Sequence, residues 1–311
     1  MNKNRVAHIN QVFLATLLAY ILGVYLLSLV EEVCNISLPT YARIIYSQLI
    51  LVLPAVIYLW VNRIKPMEFI RCKKVSIKTV ILLVLLGIFI RPFMTLLSAI
   101  SMIFSENLIA DTATQLMSEV NFPLALLFIA VIPSILEEFV YRGVFYNEYR
   151  KINNGKAILL SGLLFGLMHM NLNQFIYAFF MGAMFALVIE ATDSIVASMI
   201  VHFTINGSSL FLMQIKSWVE QKVGNAALVD STTMNSKTVL KLLPSLVFPA
   251  LFALGISVLI YYGIAVHNKR LDCIKQLFVK SISKEKTDRL LTTPLVAGII
   301  ICLIIMISSI F

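Results

Sequence analysis

Three ionisable side chains, Glu137, Glu138 and Arg142, interrupt the apolar stretch "SILEEFVYRGVFYNEY" (134–149). On a helix Glu138 and Arg142 are four apart and share a face, so they can pair. Glu137 is turned about 100° from Glu138 at 3.6 residues per turn. A paired Glu138 would be structural, which leaves Glu137 as the candidate reactive carboxylate. The competing reading is that all three only hold helices together. Two more patterns follow along the chain. "FGLMH" (165–169) sets Phe165 one turn before His169, and "HFTIN" (202–206) sets His202 and Asn206 one turn apart on one face. The chain has four histidines. His8 and His267 fall at the ends of apolar runs, where an interfacial hydrogen bond is the ordinary role. His169 and His202 fall inside them.

A glutamate and a histidine can activate water, the carboxylate taking a proton while the imidazole orients the water or relays the proton. A second histidine and an asparagine can donate hydrogen bonds to a developing oxyanion. Together these suit hydrolysis of an amide by water with no covalent intermediate. Glu137, His169 and His202 could instead hold a metal with an open position for water, and such ligands suit zinc. The residues leave both routes open. Other hydrolytic schemes lack their motifs: there is no H-E-x-x-H and no G-x-S-x-G elbow, and no pair of aspartates lies within the apolar runs. No G-x-x-x-x-G-K phosphate loop is present either.

The elements that must position these groups are membrane helices. Of 311 residues, 59% are hydrophobic and 13% charged, with mean hydropathy +0.91. Soluble domains carry about a quarter charged residues. The composition predicts an all-α, polytopic membrane helix bundle of about eight to nine transmembrane helices, built as a single domain over 1–311. Apolar runs lie near 9–30, 44–62, 79–104, 122–147, 157–171, 173–190, 194–215, 239–266 and 294–311, each long enough or nearly so to cross a bilayer. At 1.5 Å per residue, Glu137 and His169 lie about 18 Å and His202 about 12 Å from the same side of the membrane. The three therefore share a layer. An ionisable group at such depth costs about 2.5–3.5 kcal/mol on insertion scales and usually marks function.

Charge orients the bundle. With the N-terminus inside, 18 lysines and arginines fall on the inner side and five outside, with Arg91 and Arg142 within spans. This predicts a multi-pass protein of the cell membrane with a cytoplasmic N-terminus. The net charge of +9 is read as orientation and lipid-headgroup contact, with no nucleic acid. The start "MNKNR" precedes an apolar run without a small-residue cleavage site, so the first span is expected to be retained. The four cysteines fit no zinc spacing and sit at different depths, so no structural disulfide is expected. Arg91-Pro92 is expected to kink the third span. Glu190 and Asp193 are expected to face water at a short turn, and Asn171 and Asn173 to serve the turn between the fifth and sixth spans. The acidic "SENLIADTATQLMSEVN" (105–121) is read as either an interfacial helix or a solvated loop.

The ordered set E-E-x-x-x-R, F-x-x-x-H and H-x-x-x-N, here "EEFVYR" (137–142), "FGLMH" and "HFTIN", resembles the CAAX protease and bacteriocin-processing family. That family includes type II CAAX prenyl endopeptidases and abortive-infection proteins. The resemblance covers about 120–215, taken as the catalytic core. It implies an intramembrane endopeptidase, either glutamate-dependent or metallo. Glu137 and His169 would activate water, His202 and Asn206 would form the oxyanion hole, and Glu138 and Arg142 would shape the site. No metal is required by this reading; if zinc is present, its ligands would be Glu137, His169 and His202. The substrate is expected to be a membrane-embedded or membrane-delivered peptide or protein, with bacteriocin processing or immunity as settings. The alternatives are a non-catalytic immunity or scaffold protein of the same fold, and a proton-coupled transporter. Transporters of that kind carry internal repeats, and none is visible.

Overall fold

Apolar runs in lipid must satisfy their backbone groups internally, which favours helices. A computed structural model of the chain describes residues 3–105, 108–223, 236–278 and 290–308, and no strand occurs among them. The long helices are α1 (Lys3–Cys34), α2 (Thr40–Val61), α3 (Ile77–Ser101), α4 (Phe122–Tyr149), α5 (Asn154–Leu167), α6 (Leu172–Thr192), α7 (Ile195–Val223), α8 (Ser236–His267) and α9 (Thr293–Ser308). Seven are long and apolar enough to cross a membrane; α5 and α9, of 14 and 16 residues, are shorter. The chain is thus an all-α, polytopic helical bundle. Parts of the acidic 105–121 segment (106–107) and of the basic 267–293 loop (279–289) lie outside the described residues, as do 309–311. So do the side chains of Lys3, Arg5 and Lys237. The described part of the acidic segment forms a helix, Leu108–Glu119. Its Glu119 accepts hydrogen bonds from the Thr40 N–H and hydroxyl, satisfying the start of α2.

Helix starts follow side-chain chemistry. Asn121, Asn153 and Asn171 each accept a backbone N–H from three residues on, at the starts of α4, α5 and α6. Helix α3 is interrupted at Ile90, and Pro92 opens its second half. Proline has no N–H to donate and its ring crowds the preceding turn, which accounts for the break beside Arg91. Two stretches of α4, Leu127–Val131 and Phe139–Tyr146, widen into π-helical turns on either side of the two glutamates. Such turns occur often at functional sites.

Helices α5 and α6 form a hairpin packed backbone to backbone. A Cβ on Gly162 would lie 2.7 Å from the Phe179 carbonyl oxygen and 2.9 Å from the Ala183 nitrogen. A Cβ on Gly182 would lie 2.7 Å from Gly162 Cα and 2.9 Å from Arg142 Nη2. Small residues permit this approach in membranes. Gly162→Ala is therefore expected to force the hairpin apart and destabilise the bundle by about 1–3 kcal/mol, the usual cost of overpacking. A lowered unfolding midpoint in detergent is the measurement that checks it.

Two expectations about polar residues are corrected. Glu190 is 1% exposed rather than facing water. It accepts a hydrogen bond from the Tyr146 hydroxyl at 2.8 Å and pairs with Arg150 at 3.0 Å and Arg71 at 3.5 Å. Asp193 pairs with Lys73 and Arg71. Burial pushes the Asp193 carboxyl up, but Lys73 and Arg71 outweigh that and hold it below the usual carboxylate range. Asn171 does cap α6, but Asn173 reaches across to α3, where its amide donates to the Ser98 carbonyl and the Ser101 hydroxyl. The four cysteines are free.

The first and last helices meet. The Asn10 amide donates to the Leu290 carbonyl at 2.8 Å and the Thr292 hydroxyl at 2.9 Å, and the Tyr149 hydroxyl donates to its carbonyl oxygen. Gly298 of α9 leaves room for the Phe13 ring, which a Cβ there would meet at 2.8 Å.

Candidate active site

Helix α4 brings Glu137 and Glu138 to the bundle interior, where they diverge. Glu138 is fully buried, and its Oε1 accepts from Arg142 Nη1 at 3.0 Å and from His202 Nδ1 at 3.1 Å. A carboxylate can only accept, so the His202 proton sits on Nδ1. That turns His202 Nε2 toward Glu137, whose Oε2 lies 3.9 Å away. The gap is longer than a direct hydrogen bond. The other Glu137 oxygen, Oε1, accepts the Gln48 amide N–H at 2.8 Å. Glu137 keeps 15% of its side chain exposed, against none for Glu138.

His169 follows the last turn of α5. Its Nδ1 bonds the Phe165 carbonyl at 2.8 Å. A carbonyl only accepts, so Nδ1 is the donor and Nε2 carries a free lone pair. Aromatic contacts join the two imidazoles through Arg142. Its guanidinium lies over Phe165 at 4.4 Å and Phe185 at 4.9 Å. Phe165 meets His169 edge-on at 5.1 Å, and Phe185 stacks on His202 at 4.9 Å. Cation–π contact is strongest where water is absent, and Arg142 is fully buried.

Asn206 stands one turn beyond His202 on α7. Its amide donates to the Ile129 carbonyl at 3.1 Å, within the π-helical turn Leu127–Val131, and not to the other five residues. One amide hydrogen remains. The structure thus joins Glu137, Glu138, Arg142 and His202 in one network and reaches His169 through Phe165. Asn206 is held on the adjoining backbone.

A zinc ion would need its donors about 2.0–2.2 Å from one point. Among the described residues no three His, Cys, Asp or Glu side chains converge to hold a metal ion. As placed, Glu137, His169 and His202 do not form such a cradle.

Three participants escape the sequence reading. Gln48 of α2 is a lone amide in an apolar run, and intramembrane polar residues commonly bond across helices; that was the available signal. Phe185 is one of 20 phenylalanines and carries none. The Ile129 carbonyl is backbone and has none either.

Residues 119–208 match the model of the family described as type II CAAX prenyl endopeptidase Rce1-like. The matched segment holds Glu137, Glu138, Arg142, His169, His202 and Asn206, but not Gln48. No curated protein and no solved structure matches the chain. Residues 119–208, which run from just before α4 into α7, are thus similar to the Rce1-like type II CAAX prenyl endopeptidases.

Proposed function

We propose that the chain is an intramembrane endopeptidase that hydrolyses a peptide bond with water activated by Glu137 and His169. The observation that carries this reading is the division of labour between the adjacent glutamates. Glu138 is taken up by Arg142 and His202, while Glu137 keeps Oε2 free opposite His202. In the proposed step Glu137 Oε2 takes a proton from water as the water oxygen bonds the scissile carbonyl carbon. His169 Nε2 accepts the second water hydrogen and orients the attack. The carbonyl oxygen becomes an oxyanion, received by His202 Nε2–H and the second Asn206 amide hydrogen. Because Nδ1 already donates to Glu138, donation from Nε2 makes His202 an imidazolium. With Glu137 protonated, the Glu138 carboxylate and the oxyanion then face one guanidinium and one imidazolium, and the charges balance. Collapse breaks the C–N bond, and the proton held by Glu137 passes to the leaving nitrogen.

The substrate is a peptide or protein embedded in or delivered by the membrane, with lipids around the bundle and no nucleic acid involved. In this reading the basic loops support a cytoplasmic N-terminus, and the bond is cut near the inner leaflet. Metal-independent water activation is preferred because the donors do not converge.

The test uses purified full-length protein in nanodiscs and a panel of internally quenched peptides, prenylated and unmodified, in H2(18)O. The new carboxyl is expected to carry one heavy oxygen from solvent. His169→Ala is expected to lower turnover by about 10²–10⁴-fold, and 1,10-phenanthroline to leave wild-type turnover intact. Equal turnover in His169→Ala and wild type would sink the mechanism. Loss to the chelator with recovery on zinc would overturn the metal-independent form.

A further inference from the structure

Gln48 lies on the wall of a groove between α2 and α4, and its neighbours there are all apolar: Ile45, Leu49, Ile132, Ile135 and Leu136. Its amide nitrogen donates to Glu137 Oε1 at 2.8 Å, while its carbonyl oxygen is buried with no hydrogen-bond partner. Only the NH2 end can face a carboxylate, so Glu137 sets the orientation of the amide. An unpaired buried acceptor costs free energy. A glutamine placed merely to join two helices would satisfy both of its ends; this one satisfies only the end that meets Glu137.

The bond has a chemical consequence. The terminal torsion of a glutamate is broad, and a carboxylate without a partner would sample many orientations. A donor on Oε1 holds the plane and leaves Oε2 as the oxygen that faces His202 Nε2, 3.9 Å away. We propose that Gln48 is a positioning residue: from α2 it fixes the Glu137 carboxylate and reserves Oε2 for the attacking water. This inference rests on the reading of Glu137 as the proton acceptor.

The test compares Gln48→Leu, Gln48→Met and Gln48→His with wild type and Glu137→Gln, all full length in nanodiscs. The probe is the quenched peptide that wild type turns over fastest. Leucine and methionine fill the space without a donor, and kcat is expected to fall about 10–100-fold, as for a misplaced catalytic group. KM is expected to stay within about twofold, since no ground-state contact to substrate is lost. Histidine reaches about as far with its Nε2–H and is expected to restore most of kcat. A second readout needs no turnover. The carboxylate stretch of Glu137 is isolated as the infrared difference between wild type and the Glu137→Gln variant. Measured the same way in the Gln48→Leu background, where the donor is gone, that band is expected to shift.

Wild-type kcat in Gln48→Leu beside an inactive Glu137→Gln overturns the positioning role alone. So does an unshifted carboxylate band, a fall in kcat matched by a rise in KM, or failure of histidine to restore kcat. An active Glu137→Gln overturns the peptidase reading itself. If leucine lowers the unfolding midpoint, the flexible methionine variant supplies the comparison.

Discussion

Glu137→Gln is expected to lower peptide turnover by about 10²–10⁴-fold, the range for loss of a positioned general base, with no change in the unfolding midpoint. The substitution preserves size, and the new amide oxygen can still accept the Gln48 N–H that Glu137 Oε1 accepts now. What disappears is the oxygen able to take a proton opposite His202. The partial exposure of Glu137 supports the neutral effect on folding, since no fully buried charge loses its partner. Turnover measured in nanodiscs, beside thermal unfolding of the same samples, checks both halves. Turnover within tenfold of wild type would remove Glu137 from the proposed mechanism.

Arg142→Leu is expected to act the other way, on the fold first. Glu138 and Arg142 are both fully buried, one turn apart and 3.0 Å from contact to contact. Removing one partner of a buried pair typically costs about 3–5 kcal/mol, because the remaining charge has no solvent. The loss here includes the guanidinium packed between Phe165 and Phe185. The double variant Glu138→Leu with Arg142→Leu is expected to regain much of the stability, since apolar replacement of a whole buried pair is often neutral or better. It should not regain activity, because His202 Nδ1 then lacks its acceptor. Unfolding midpoints of the two single variants and the double variant form the cycle that tests this. An Arg142→Leu protein as stable as wild type would show that the pair is not what holds this region.

The spans were legible because lipid imposes length and apolarity on each of them. Even α5, with 14 residues, stood out between its polar ends. The Glu138–Arg142 pair was legible because helical spacing alone places residues four apart together. What spacing could not show was every contact between distant segments. Gln48 meets Glu137 across 89 positions of sequence, and nothing local to either announces it. Glu190 reads as a solvated turn residue until Arg71, Arg150 and Arg270 arrive from three separate loops. The π-helical turns of α4 leave no periodic trace, since one extra residue per turn shifts the pattern without changing its composition. Asn206 was legible as a residue type and a helix face, yet its hydrogen bond to the Ile129 carbonyl depends on that widened turn.

The contact between Asn10 and Leu290 joins segments 280 residues apart. During synthesis α1 leaves the ribosome well before its partner α9. At about 5–20 residues per second the interval is on the order of half a minute. Throughout it the face of α1 that will receive α9 has only lipid or the insertion machinery to rest on. Helices α2 and α4 to α7, which hold every group of the site, are complete well before then. Helices α1 and α9 therefore close around a finished core, and the Tyr149–Asn10–Thr292 chain of hydrogen bonds is a seam sealed only once α9 has been made.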